Sequence, residues 1–154
     1  MKRIVIVLSG LLLIAFTACK SSDKKSGDND LKATADSLYK NINAIHGKGM
    51  ADYMKIEKKQ EAIKSLLDSI AKLPSNAKTA AEPLKTKLNE TMDALTKAYD
   101  DMYNWMPTLN MDSAQNDLQK RVDYFTKEKL NAENINQALS NSLQKADSLL
   151  KAKF

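Results

Sequence analysis

Apolar residues follow two patterns along the chain. Ile4–Phe16 is a nearly unbroken apolar run, whereas beyond residue 30 apolar side chains recur every three or four positions, the spacing of helices with one buried stripe. The first stripe, over about Asp30–Leu73, comprises Leu38, Ile42, Ile45, Gly49, Tyr53, Ile56, Ile63, Leu67 and Ile70. Asp28, Asn29 or Asp30 can cap it, and Pro74 with the Ser75-Asn76-Ala77 turn ends it. A second helix is predicted to start near Thr79–Glu82, because Pro83 is acceptable in a first turn but not deeper. It runs to Met106, burying Leu88, Met92, Leu95, Tyr99, Met102 and Met106, and Pro107 stops it. Thr108–Met111 reads as a loop, after which Asp112 or Ser113 caps a third helix carrying Leu118, Val122, Phe125, Ala132, Ile135, Leu139, Leu143, Ala146 and Leu150. Lys129–Asn134 is its weakest stretch, and a break there would give four helices. Short connections favour antiparallel neighbours, so the expected fold is an all-α, coiled-coil-like, antiparallel up-down bundle of three long helices, or four.

The apolar run at the N-terminus has a different meaning. Lys2 and Arg3 form a positive n-region, Ile4–Phe16 an apolar h-region, and Phe16-Thr17-Ala18 leads with small residues into Cys19. This is the layout of a bacterial lipoprotein signal: residues 1–18 are expected to be removed and Cys19 to carry lipid, palmitate-type acyl chains included. A run of thirteen residues is short for a helix crossing a hydrocarbon core of about 30 Å. Lys20–Asn29 lacks apolar side chains to offset the entropy of ordering, so 19–29 is expected to be the lipidated cysteine and a flexible tether. Residues 30–154 are then the helical domain. The implied location is the cell envelope, with the protein lipid-anchored in the outer membrane and facing the periplasm.

Composition narrows the function. Between Asp30 and Phe154 only Gly47, Gly49, Pro74, Pro83 and Pro107 interrupt a sequence rich in strong helix formers. Once Lys2 and Arg3 are removed with the leader, 22 basic side chains face 19 acidic ones, interspersed and with no one-signed block, which argues against a nucleic-acid partner. Cys19 is the only cysteine, and lipidation would consume it, leaving no disulfide.

The candidate chemistry is sulfur and one imidazole. His46, Met50 and Met54 stand at i, i+4 and i+8, one above another along the first helix. If the first two helices fold as a hairpin about residues 74–80, equal rise per residue puts residues whose numbers total roughly 151–156 at one height. Met102 then lies level with 49–54 and Met106 with 45–50, so the only histidine, four methionines and the only tryptophan, Trp105, share a slice, with Met111 in the adjoining loop. Thioethers and imidazole without thiolates or a ring of carboxylates suit a soft ion such as Cu(I), and the indole face of Trp105 can cover a cation. The favoured reading is nevertheless packing, since methionine is a routine filler of helix cores and tryptophan a routine anchor. By rotation at 100° per residue Met54 lies almost opposite the buried arc, and joins the slice only if Gly47-Lys48-Gly49 resets the helix phase.

Other chemistry finds less support. One histidine and no free cysteine exclude the usual nucleophile–base pairs and multi-histidine zinc sites. Gly47-Lys48-Gly49 lacks the long glycine-rich turn of a phosphate loop. Adjacent Asp100 and Asp101 diverge on a helix, and neither a Glu-x-x-His pair nor a Cys-x-x-Cys-His attachment signal exists for a di-iron or haem site.

The segments AIHGKGMADYMKIEKK (44–59), YDDMYNWM (99–106) and ADSLLKAK (146–153), behind the lipoprotein signal, resemble small Bacteroidota lipoproteins often labelled "viral A-type inclusion protein". That family's isoleucine-histidine pair with spaced methionines and its Met-x-x-Trp-Met ending match Ile45, His46, Met50, Met54 and Met102, Trp105, Met106; two glycines replace its usual acidic or proline residues. The resemblance implies an exported helical lipoprotein with no established activity. The favoured expectation is therefore a non-enzymatic, membrane-tethered helical module that binds an envelope protein or acts as a spacer, with no cofactor. The alternative is a periplasmic Cu(I)-binding protein using the His/Met cluster.

Overall fold

The computed structural model describes residues 22–152, and among them the chain is helical with no strand. The leader 1–18 and the lipidation residue Cys19 lie outside the described residues. Helix α1 spans Ser22–Ala71, α2 Ser75–Trp105 and α3 Leu118–Lys151; a single 3-10 turn, Met106–Thr108, extends α2. Each helix touches both others.

Seven-residue spacing organises the interior. In α1 the buried positions are Ala35, Ile42, Gly49, Ile56, Ile63 and Ile70. Helix α2 repeats the interval with Leu88, Leu95 and Met102 and again with Thr91, Ala98 and Trp105; α3 does so with Phe125, Ala132, Leu139 and Ala146. Such an interval keeps one stripe of a helix turned toward its neighbours over many turns. Contacts between the helices have a fixed sense: Tyr53 stacks on Tyr99 and Gln60 donates to Thr96 Oγ1 at 2.9 Å, so numbers rise along α1 as they fall along α2. Between α1 and α3 they rise together, from Tyr39–Phe125 through Asn136 on the Ile45 carbonyl to the Lys59–Asp147 ion pair.

Gly49 is the exception in the α1 stripe. A Cβ placed there would lie 2.6 Å from the Met102 methyl and closer still to the Asn136 side-chain oxygen. The glycine therefore opens a notch that α2 and α3 both fill. Gly47, two residues earlier, is exposed, and a Cβ there would meet none of the described residues within 4 Å beyond its own helix backbone.

Three boundaries differ from the sequence reading. Helix α1 starts at Ser22, not near Asp30, and so runs through most of the segment assigned to a tether; Asp28, Asn29 and Asp30 are helical and exposed and do not act as caps. The physical reason is that a helix nucleated by its packed part gains a backbone hydrogen bond for each added residue, and no proline stops it before Ser22. Helix α2 starts at Ser75, with Pro74 in extended conformation before it, so Ser75-Asn76-Ala77 is its first turn and Pro83 lies inside the helix. The pyrrolidine removes one backbone donor there, on an exposed face where water can reach the freed Thr79 carbonyl. The cap of α3 is Asp117, whose carboxylate accepts from the Lys120 amide at 3.1 Å, not Asp112 or Ser113. The longer loop is held from outside: the Arg121 guanidinium donates to the carbonyls of Ser113 at 2.8 Å and Met111 at 3.0 Å, Asn110 Oδ1 accepts from the Asp112 amide, and Ala114 turns the chain at φ 54°. Those side-chain bonds give the backbone an alternative to a helical ladder. Finally, α3 passes unbroken through Lys129–Asn134, so the described residues form three helices and no fourth.

Two sets of substitutions test this packing. Leu95→Ala and Ile63→Ala, each at a position with no exposed surface, are expected to cost about 2–5 kcal/mol in denaturant unfolding; a loss within about 0.5 kcal/mol, typical of surface positions, would place the residue outside the core. Gly47→Ala should stabilise by about 0.5–1 kcal/mol through helix propensity alone. Gly49→Ala gains the same propensity but overpacks the notch at about 1–3 kcal/mol, so its net effect should be a loss. Equal effects at the two glycines would contradict the notch.

Candidate functional site

The candidate site is built around the Gly49 notch. Unbroken helix on either side of Gly49 sets His46 and Met50 at the edges of the same buried stripe, and both are half-buried. From α2, Met102 is fully buried and Trp105 is 7% exposed, while Met106 is half-buried against the core. His46 and Trp105 face each other with ring centroids 5.9 Å apart and planes inclined at 56°. The numbers of the contacting α1–α2 pairs His46–Trp105, Tyr53–Tyr99 and Gln60–Thr96 total 151, 152 and 156, so the hairpin register places the imidazole and indole at one level as expected.

Met54 is not part of this slice. It is 77% exposed, because the helix phase continues unchanged through Gly47-Lys48-Gly49 and carries Met54 round to the solvent side. Met50, Met106 and Met111 pack against the core, each half-buried. Thus the structure brings His46 onto Trp105, with Met102 at the Gly49 notch one turn away, and leaves Met54 outside.

Helix α3 contributes two polar groups that the stripe analysis did not single out. Glu128 is 8% exposed, and its Oε2 accepts from the Trp105 indole N–H at 2.8 Å and from the Asn131 side-chain amide at 3.4 Å. Both donors are neutral. A carboxylate held so deep ordinarily needs strong partners, and the short indole bond fixes the Trp105 ring against α3. Asn136 donates its side-chain N–H to the Ile45 carbonyl at 2.7 Å, one residue before His46. No periodic signal marks either residue, since both are polar; a glutamate and an asparagine on the otherwise apolar line of Phe125, Ala132 and Leu139 are the faint trace they leave.

Two buried polar atoms here, His46 Nε2 and Asn136 Oδ1, have no hydrogen-bond partner among the described residues. The Asn136 oxygen abuts the Cα side of Gly49, where no donor is on offer. The His46 nitrogen lies inside the protein beside the indole. Leaving such a group unpaired costs about 1–3 kcal/mol, so an imidazole here is a worse packing residue than a leucine. Chemically, the slice offers an imidazole nitrogen, thioether sulfur and an aromatic face, a donor set for a soft cation. Among the described residues no three His, Cys, Asp or Glu side chains converge, so the arrangement does not resemble a zinc or calcium site.

Two grooves lie outside this slice. One of about 370 Å³ opens between α1 and α3, lined by Lys48, Asp52, Glu133 and Ser140, and borders the slice at Ile45 and Asn136. An apolar one of about 690 Å³ lies at the α1–α2 turn, bounded by Leu66, Ile70, Leu73, Leu84 and Leu149. Among the described residues no helix is long and apolar enough to cross a membrane. Compared with known proteins, the chain matches no family model, no curated protein and no solved structure.

Proposed function

We propose that this protein is a lipid-anchored, non-enzymatic helical module of a bacterial cell envelope, held by lipid on Cys19 in the outer membrane and projecting into the periplasm. The observation that carries this reading is α1 itself, which is helical from the first described residue, Ser22, and runs unbroken for 50 residues, a rod of about 75 Å. Ala35 is its first buried side chain among the described residues, and the helix before it, from Gly27, is exposed apart from half-buried Leu31 over about 12 Å. That geometry suits a spacer or an extended surface for an envelope protein. We read the three helices as an antiparallel up-down bundle of coiled-coil type, supported by the seven-residue spacing and by the sense of the α1–α2 contacts. The likeness of 44–59 and 99–106 to small Bacteroidota lipoproteins supports the same assignment.

Cys19→Ser tests the anchor. The variant should remain an uncleaved, unlipidated precursor, whereas the wild type fractionates with membranes and has lost residues 1–18 by mass. Wild-type protein found soluble with its leader attached would overturn the proposal.

A second reading is favoured by one observation, the unpartnered buried Nε2 of His46 beside Trp105. In it, His46, Met102 and Met106, with Met50 at the margin, bind Cu(I) under the Trp105 ring, and Met54 takes no part. Cu(I) should then quench or shift the fluorescence of the sole tryptophan stoichiometrically, with Zn doing much less. His46→Ala and Met106→Leu should each weaken the response, the leucine variant at less than about 1.5 kcal/mol of packing cost. A flat Cu(I) titration would remove the metal reading and leave the spacer intact.

A further inference from the structure

The seam between α1 and α2 holds an aromatic pair that neither reading uses. The rings of Tyr53 and Tyr99 are stacked, with centroids 4.4 Å apart and planes within 15° of parallel. Both side chains are half-buried, and the Tyr99 hydroxyl donates to Glu57 Oε1 at 3.5 Å. Burial first, then the neighbouring Tyr99, pushes the Tyr53 phenol up to about 12, so it keeps its proton at neutral pH. The other described tyrosines are placed differently: Tyr39 and Tyr124 pack against Phe125, and Tyr103 is 60% exposed. The chain has one cysteine, Cys19, and so no pair of thiols to tie one helix to another.

We propose that Tyr53 and Tyr99 form an oxidative cross-linking site, in which a peroxide acting through a haem peroxidase joins the two rings by a carbon–carbon bond and clasps α1 to α2. Each phenol loses one electron and its hydroxyl proton, and Glu57 is in place to receive the proton of Tyr99. The two phenoxyl radicals couple at the ring carbons ortho to the oxygens. Each of those carbons then releases its hydrogen as a proton, and each oxygen is reprotonated, restoring both aromatic rings. In sum, two C–H bonds are lost and one C–C bond forms; the two electrons and two protons reduce one hydrogen peroxide to two waters. The near-parallel stack holds the two rings in contact before oxidation. Positioning of this kind gives an intramolecular partner a large advantage over a second molecule. Half-exposure leaves the rings room to turn out of the stack about their Cβ–Cγ bonds as the bond forms.

The full-length protein, purified in detergent and kept dilute, is treated with hydrogen peroxide and horseradish-type haem peroxidase. Dityrosine fluorescence is then read from the monomer band, and the linked peptides are sequenced by mass spectrometry. The expected product is a monomer two hydrogens lighter, containing a Tyr53–Tyr99 linkage and showing a raised unfolding temperature. Tyr53→Phe and Tyr99→Phe should each abolish the monomeric product, and Tyr103→Phe should leave it; circular dichroism confirms that each variant folds. Mapping of the wild-type product decides the matter even if a variant does not fold. Absence of dityrosine, dityrosine confined to dimers, or a monomeric linkage through Tyr39, Tyr103 or Tyr124 would each overturn the proposal.

Discussion

The missing side chain at Gly49 is the constraint on which the centre of the molecule depends. At every other turn of its buried stripe, α1 presents an alanine or isoleucine; at Gly49 it presents bare backbone, and the Met102 methyl and Asn136 amide occupy the space. A glycine within a helix costs about 1 kcal/mol relative to alanine. Here the cost is offset by letting two neighbouring helices approach α1 at one level. Asn136 can then reach the Ile45 carbonyl, Met102 is fully buried, and His46 and Trp105 meet just before the notch. Gly47 carries the same intrinsic cost with no contact to offset it.

Much of this was legible in the order of residues, and the parts that were not share a cause. Spacing of apolar positions identified the buried residues of α1 and α3 closely, and equal rise per residue predicted the level at which His46 meets Trp105. The misread features are those in which a polar group decides the local structure. Asn110 Oδ1 and the Arg121 guanidinium satisfy the backbone of the 109–117 loop, which delays α3 to Asp117. Ser22–Asn29 has no apolar side chain to register in a periodic analysis, yet it is helical, because extending a formed helix needs no burial. Pro83 sits inside α2, where its missing donor faces water.

The same distinction governs the candidate site. Methionine side chains in the slice pack as leucine would, so their presence alone carries little functional weight. Glu128, His46 and Asn136 are different, because burying them has a price that simple packing would avoid. Glu128 recovers it through the indole N–H of Trp105, and Asn136 recovers half of it on the Ile45 carbonyl. His46 Nε2 recovers none from the described residues, and on that the proposed second reading rests.

A double-mutant cycle between Gly49 and Asn136 tests the notch most directly. The free energies of unfolding of Gly49→Ala, Asn136→Ala and the double variant are compared with that of the parent protein. If the two positions share one space, the methyl added at 49 is accommodated once the amide is cut back, and the double variant should be more stable than the sum of the single losses allows, by about 1–3 kcal/mol. Additivity within about 0.5 kcal/mol would mean that Asn136 does not fill the gap at Gly49, and the account of how the three helices meet would have to be abandoned.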